Sequence, residues 1–194
     1  TDAREAFDIA GEKPETVAKY GANAQGRQML IARHLLERGV RFVQVRQGGW
    51  DLHGGIAQRA ANNARQLDPA IGAIMDDLKE RGLFEDTLIY ITSEFGRSPT
   101  EDGGGGRSHN ARGLSTVLMG GGIKGGIAYG STDEIGGAAV ENKVHVKDIH
   151  ATVMDLLGFD HEQLTYRTAG RDFRLTQATR SLPQGGMPVK GIIA

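Results

Sequence analysis

The residues best suited to chemistry are two carboxylates, two histidines and two arginines set near three β-rich runs. Asp51 and His53 stand two apart in RQGGWDLHGG, with glycines on both sides. An extended backbone sends alternate side chains to the same side, so both can face one cation. Oxygen and imidazole donors suit Zn²⁺, Mn²⁺ or Fe; the DxH pair alone equally fits a turn with solvated polar groups. Glu94 follows the apolar run TLIYITS, where a carboxylate needs a metal or an ion pair, with Arg97 as the nearest candidate. Arg107 and His109 lie in GGGGRSHN, ahead of STVLMG. The glycine run fails the phosphate-loop pattern, because an arginine replaces the lysine and a strand rather than a helix is expected next. Arg97 and Arg107 are the candidates for neutralising a phosphate or sulfate oxyanion. His34, His145, His150 and His161 have weaker claims, and Trp50 reads as core or pocket wall.

Composition narrows the field. The 194 residues carry a formal net charge of −1 with 23 basic residues scattered along the chain, which leaves no electrostatic footprint for nucleic acid. There is no cysteine, so a metal must be held by histidines and carboxylates. No apolar stretch approaches the length of a membrane span. The chain opens at Thr1 in a polar segment that reads as the middle of something longer.

The elements that must position these residues follow from periodicity. Residues 22–38 place Met29, Leu30, Ala32, Leu35 and Leu36 on one helical face, with Gly39 as the stop. VRFVQV at 40–45 alternates and reads as a strand. Leu67, Ile71, Ile74, Met75 and Leu78 make residues 56–82 helical, with Pro69 expected to kink or restart the helix behind Asp68. Residues 87–93 and 115–120 read as strands, and 120–137 as glycine-rich turns that could include a short hairpin. Asp148 is expected to cap a helix from Ile149 to Leu157 that ends at Gly158. Alternating helices and strands predict one α/β domain over 1–194, layered around a largely parallel central sheet flanked by helices, with an extended tail at 176–194. Such a sheet would gather the candidate residues at its carboxyl edge.

At WDLH, SEFGRSP, GRSHN, MGGGIKGG and VKDIHATVMDLLG, the chain resembles the bacterial domain-of-unknown-function family 1501 from about Phe7 to Leu175, as the C-terminal portion of a member. That family is similar to the alkaline phosphatase and sulfatase superfamily. The resemblance implies an alkaline-phosphatase-like fold and a metal-dependent hydrolase of phosphate or sulfate esters, acting on a small-molecule or glycan ester. It implies a divalent metal (Zn, Mn, Ca or Fe) on Asp51, His53 and His109, with Glu94 serving a second metal. It also implies a nucleophile upstream of these residues and a periplasmic or exported location. DxH in place of DxxxH, and Phe95 where a histidine commonly follows the carboxylate, depart from the superfamily pattern. A non-catalytic metal-binding or structural module of the cell envelope is the alternative.

Overall fold

Apolar periodicity and capping account for the helices of the computed structural model, which describes residues 3–180 and 182–194. In chain order the elements are α1 (Ala3–Phe7), α2 (Pro14–Tyr20), α3 (Ala24–Glu37), α4 (Ile56–Glu80), β1 (Leu88–Ile91), β2 (Gly96–Glu101), β3 (Arg107–Asn110), β4 (Val117–Gly120), β5 (Ser131–Thr132), β6 (Ala139–Glu141), α5 (Val146–Leu156), β7 (Tyr166–Thr168), β8 (Arg171–Phe173) and a closing 3-10 turn (Lys190–Ile192). The chain divides into two compact units, Thr1–Thr87 with Arg97–His109, and Leu88–Gly96 with Asn110–Ala194. Among the described residues no helix is long and apolar enough to cross a membrane.

The first unit is a helical layer. Asn23 starts α3 by accepting hydrogen bonds from the backbone N–H groups of Gln25 and Gly26, at 2.9 and 3.1 Å. Gly39, in the left-handed region at φ 77°, ends it, with Gly39 N–H bonded to Leu36 O and Val40 N–H to Leu35 O. This is the stop expected from the sequence. Helices α3 and α4 pack together, with Leu30 and Ala32 of α3 and Ala70, Ala73, Ile74 and Leu78 of α4 buried, and Tyr20 of α2 is fully buried. Helix α4 runs unbroken through Pro69. The carbonyl that Pro69 deprives of a partner belongs to Arg65, on an exposed stretch where water can satisfy it.

Residues 40–45 do not form a strand. Val43 and Val45 are half-buried and Gln44 and Arg46 exposed, but among the described residues no strand pairs with the segment. Gln25 Nε2 donates to Arg46 O at 3.5 Å and Gln47 Nε2 to Asn63 O at 3.1 Å. β propensity secures an extended backbone, whereas a strand also requires a paired edge.

The largely parallel central sheet is likewise absent, and with it the alkaline-phosphatase-like layering. The described strands form two-stranded sheets, β1 with β4, β2 with β3, β5 with β6 and β7 with β8. β1 and β4 are antiparallel, Leu88 facing Gly120 and Ile91 facing Val117. A parallel pair needs a crossover, usually a helix, between its strands. Here the chain between β1 and β4 carries the β2–β3 pair instead, and among the described residues no strand precedes α4 to make a crossover.

In the second unit α5 begins three residues before the expected start. His145 Nδ1 accepts from Lys147 N–H at 3.1 Å, and Asp148 Oδ2 accepts from His145 N–H at 2.8 Å, a reciprocal capping box. Asp148 therefore serves as the third helical residue of that box rather than as the cap. Gly158 ends the helix as expected, with Phe159 N–H bonded to Met154 O. The C-terminal residues are tied in: Val189 N–H donates to the buried Thr152 Oγ1 at 2.8 Å, and Ala194 N–H to Gly122 O at 2.8 Å. Leu182, Val189 and Ile192 are buried.

Candidate metal centre

Leu52 orients the site. It is buried at 2% exposure between two exposed neighbours, so burying its side chain turns Asp51 and His53 outward together. Its carbonyl accepts from Arg107 N–H at 3.0 Å, which fastens this segment to the start of β3. Two residues along β3 stands His109.

Three ligand atoms meet there. Asp51 Oδ1 lies 3.0 Å from His53 Nε2 and 3.0 Å from His109 Nε2, and the two Nε2 atoms are 3.1 Å apart. The rings are tilted by 47°. A tetrahedral zinc with ligands at about 2.0–2.1 Å holds its ligand atoms about 3.3–3.4 Å apart, so the triangle needs to open by only a few tenths of an ångström. About half of each imidazole is exposed, leaving the remaining coordination positions open to solvent.

Proton counting shows what the triangle lacks. Asp102 Oδ2 sits 2.9 Å from His53 Nδ1. A carboxylate only accepts, so Nδ1 carries the proton and a neutral His53 presents a lone pair at Nε2. That lone pair faces the Asp51 oxygen and His109 Nε2. One proton on His109 Nε2 cannot serve both neighbours, so at least one contact sets lone pair against lone pair. A cation, or an additional proton on an imidazole, removes the conflict.

The surrounding charges favour ionised carboxylates. Hydrogen bonds from His109 and then Arg97, aided by the charge of Arg97, hold the Asp51 carboxyl down at about 2. Arg97, on β2, donates to Asp51 Oδ1 at 2.8 Å. The bond from His53, with a second from Ser108, lowers the Asp102 carboxyl as well.

Of the residues expected from the sequence, Asp51, His53, His109 and Arg97 come together. Arg107 folds back on its own loop, donating to Gly106 O at 2.8 Å. Glu94 is exposed in the bend between β1 and β2, in the second unit, and is not one of the three residues whose ligand atoms converge. His34 pairs with Glu12, His145 caps α5, and His161 Nδ1 bonds Thr176 Oγ1 at 2.9 Å. His150 is half-buried on α5, and its burial lowers its pKa. Asp102 was missed by sequence reasoning. Its one signal is a carboxylate at the mouth of a glycine run, and its partner is 49 residues away.

No curated protein and no solved structure matches the chain. The family model described as "protein of unknown function (DUF1501)" matches residues 1–184, and the chain belongs to that family.

Proposed function

We propose that Asp51, His53 and His109 bind one divalent metal ion and that the site hydrolyses phosphate or sulfate esters. The observation that carries this reading is the triangle of ligand atoms at 3.0–3.1 Å with too few protons to satisfy it. Three protein ligands and an open side match the pattern of catalytic rather than structural zinc centres. Two imidazoles and one carboxylate suit Zn²⁺ or Mn²⁺ better than Ca²⁺, which prefers six to eight oxygens. When bound, such an ion polarises an ester oxygen and lowers the pKa of a coordinated water.

The chain's own groups supply the rest. His53 and His109 bind through Nε2, and Asp51 offsets the cation's charge. Arg97 holds Asp51 in place and brings a guanidinium charge to the site that would favour an oxyanion. A periplasmic or exported location, implied by the resemblance to family 1501, belongs to this proposal.

One observation favours a binding module without catalysis: the Arg97–Asp51 ion pair already neutralises the carboxylate. Metal titration of the purified protein, followed by assays of p-nitrophenyl phosphate and p-nitrophenyl sulfate, separates these readings. One Zn²⁺ or Mn²⁺ per chain, lost in His53→Ala and His109→Ala, together with ester turnover supports the hydrolase. Metal binding without turnover of either ester leaves the binding module. Absence of binding below millimolar metal removes both.

A further inference from the structure

We propose that Asp102, delivered by the glycine loop 102–106, is the positioning residue of this centre: it fixes the tautomer and orientation of His53, and the loop is built to hold it there. The inference rests on the metal-binding reading, but it concerns contacts that the chain makes by itself.

The loop has the bonds of a built element, not of a slack linker. Asp102 N–H donates to Gly106 O at 3.1 Å and Gly105 N–H to Glu101 Oε1 at 2.9 Å, which close the turn between β2 and β3. Its carbonyls then reach across to the segment after His53. Gly104 O accepts from Gly55 N–H at 2.9 Å and Gly105 O from Ile56 N–H at 3.0 Å. Gly55 is the N-cap of α4 and has no side chain to satisfy the orphan donors of the first turn, so the loop backbone does this instead. The start of a 25-residue helix, the His53 backbone and Asp102 are thereby joined in one network.

Gly106 shows why the run is glycine. A Cβ there would overlap the carbonyl carbon and oxygen of His53 and the amide nitrogen of Gly54. Only a residue without a side chain lets the loop lie directly on the ligand's own backbone. From there Asp102 reaches the far nitrogen of the ring whose near nitrogen faces Asp51 and His109.

Metal-bound histidines depend on such outer carboxylates, whose loss commonly weakens metal affinity about 10–100-fold. The test uses the ¹⁵N tautomer signature of His53 in metal-free protein, at a pH where the ring is neutral, together with Zn²⁺ titration. Asp102→Ala should replace the pure Nδ1–H signature by a tautomer mixture and weaken Zn²⁺ binding about 10–100-fold. Asp102→Asn keeps an accepting oxygen, so it should restore the Nδ1–H form and recover part of the affinity. Asp102 is exposed at the loop mouth, so these variants should fold; Gly106→Ala should weaken Zn²⁺ binding with Asp102 intact. The positioning role is overturned if Asp102→Ala keeps the Nδ1–H form, or if its zinc affinity stays within twofold of the unaltered chain. Should the unaltered chain bind no zinc, the metal reading falls, while the tautomer change still supports the contact.

Discussion

Two carboxylates of the first unit each gather several nitrogen donors, and they differ in burial and in proton supply. Asp77, on α4, is 4% exposed and receives the Tyr20 hydroxyl at 2.8 Å, Lys19 at 3.3 Å, Arg33 at 3.6 Å and Arg81 at 3.8 Å. Every one of these partners carries a proton to give, so burial and hydrogen bonding agree. Asp51 is exposed, and two of its three partners are imidazole nitrogens that hold one fewer proton than their contacts require. A saturated buried carboxylate fastens helices together, whereas an open one facing lone pairs asks for a cation. Number of neighbours does not separate the two; the protons they carry do.

The sharpest way to break this contrast is to remove each carboxylate in turn. Asp77→Ala should cost about 3–5 kcal/mol, because it breaks a buried charge cluster: the Tyr20 hydroxyl loses its acceptor and Arg33 loses one of its three carboxylates. Set against a typical total of about 5–15 kcal/mol, that is a large share of the stability and should lower the unfolding midpoint strongly. Asp51→Ala should leave the denaturation midpoint unchanged within error and abolish tight metal binding. Urea unfolding followed by the fluorescence of the single tryptophan, Trp50, measures both, since it lies in the first unit. Equal midpoints for the two variants would erase the distinction.

A smaller effect sharpens the buried side. Burial and the bond to Asp77 raise the Tyr20 phenol far above its usual range, so its proton stays in place to alkaline pH. Tyr20→Phe removes only that hydroxyl and should cost about 1.5–3 kcal/mol, the usual worth of a hydrogen bond to a charged group. The same denaturation experiment reads it; a loss below 0.5 kcal/mol, on the order of an ordinary surface substitution, would mean that Lys19 and Arg33 already saturate Asp77.

How far the sequence foretells these features depends on how local their causes are. Helices α3 and α5 end where Gly39 and Gly158 stand, because a C-terminal stop is decided within one turn. The apolar series from Leu67 to Leu78 likewise marks the buried face of α4. Asp51, His53 and His109 are legible as residue types, and Leu52 between the first two explains their shared direction. Asp102 is not legible, since its partner is distant and its surroundings resemble a linker. The charge in Arg33 and His34, on the face that α3 buries, is answered by Glu12 and Asp77, which the sequence places 21 or more residues away, with Glu37 one turn on as the single local partner of Arg33. Sheet architecture fails for the same reason: VRFVQV has the propensity of a strand, but pairing is a property of two segments. The antiparallel return from β1 to β4 cannot be read from either one.

Acid distinguishes the two carboxylate environments by the smallest signal, and the sign follows from the groups around Glu12. Burial alone would raise the Glu12 carboxyl, but the hydrogen bond from His34 and the charges of Arg33 and His34 outweigh it, leaving the group below its ordinary value of 4.5. A depressed folded value means that the unfolded chain binds the proton more readily. The stabilising contribution is therefore fully present above pH 4.5 and is lost as pH falls through the lower folded value. Unfolding midpoints of the first unit, followed at Trp50, should decline below about pH 4.5. Glu12→Gln should begin less stable and decline less steeply, because the titrating partner of Arg33 and His34 is gone. Asp51 titrates near 2, but it is exposed and couples weakly to folding, so Asp51→Asn should leave the acid limb of the curve in place. An acid limb that follows Asp51 rather than Glu12 would show that the open cluster, and not the buried pair, holds this unit together.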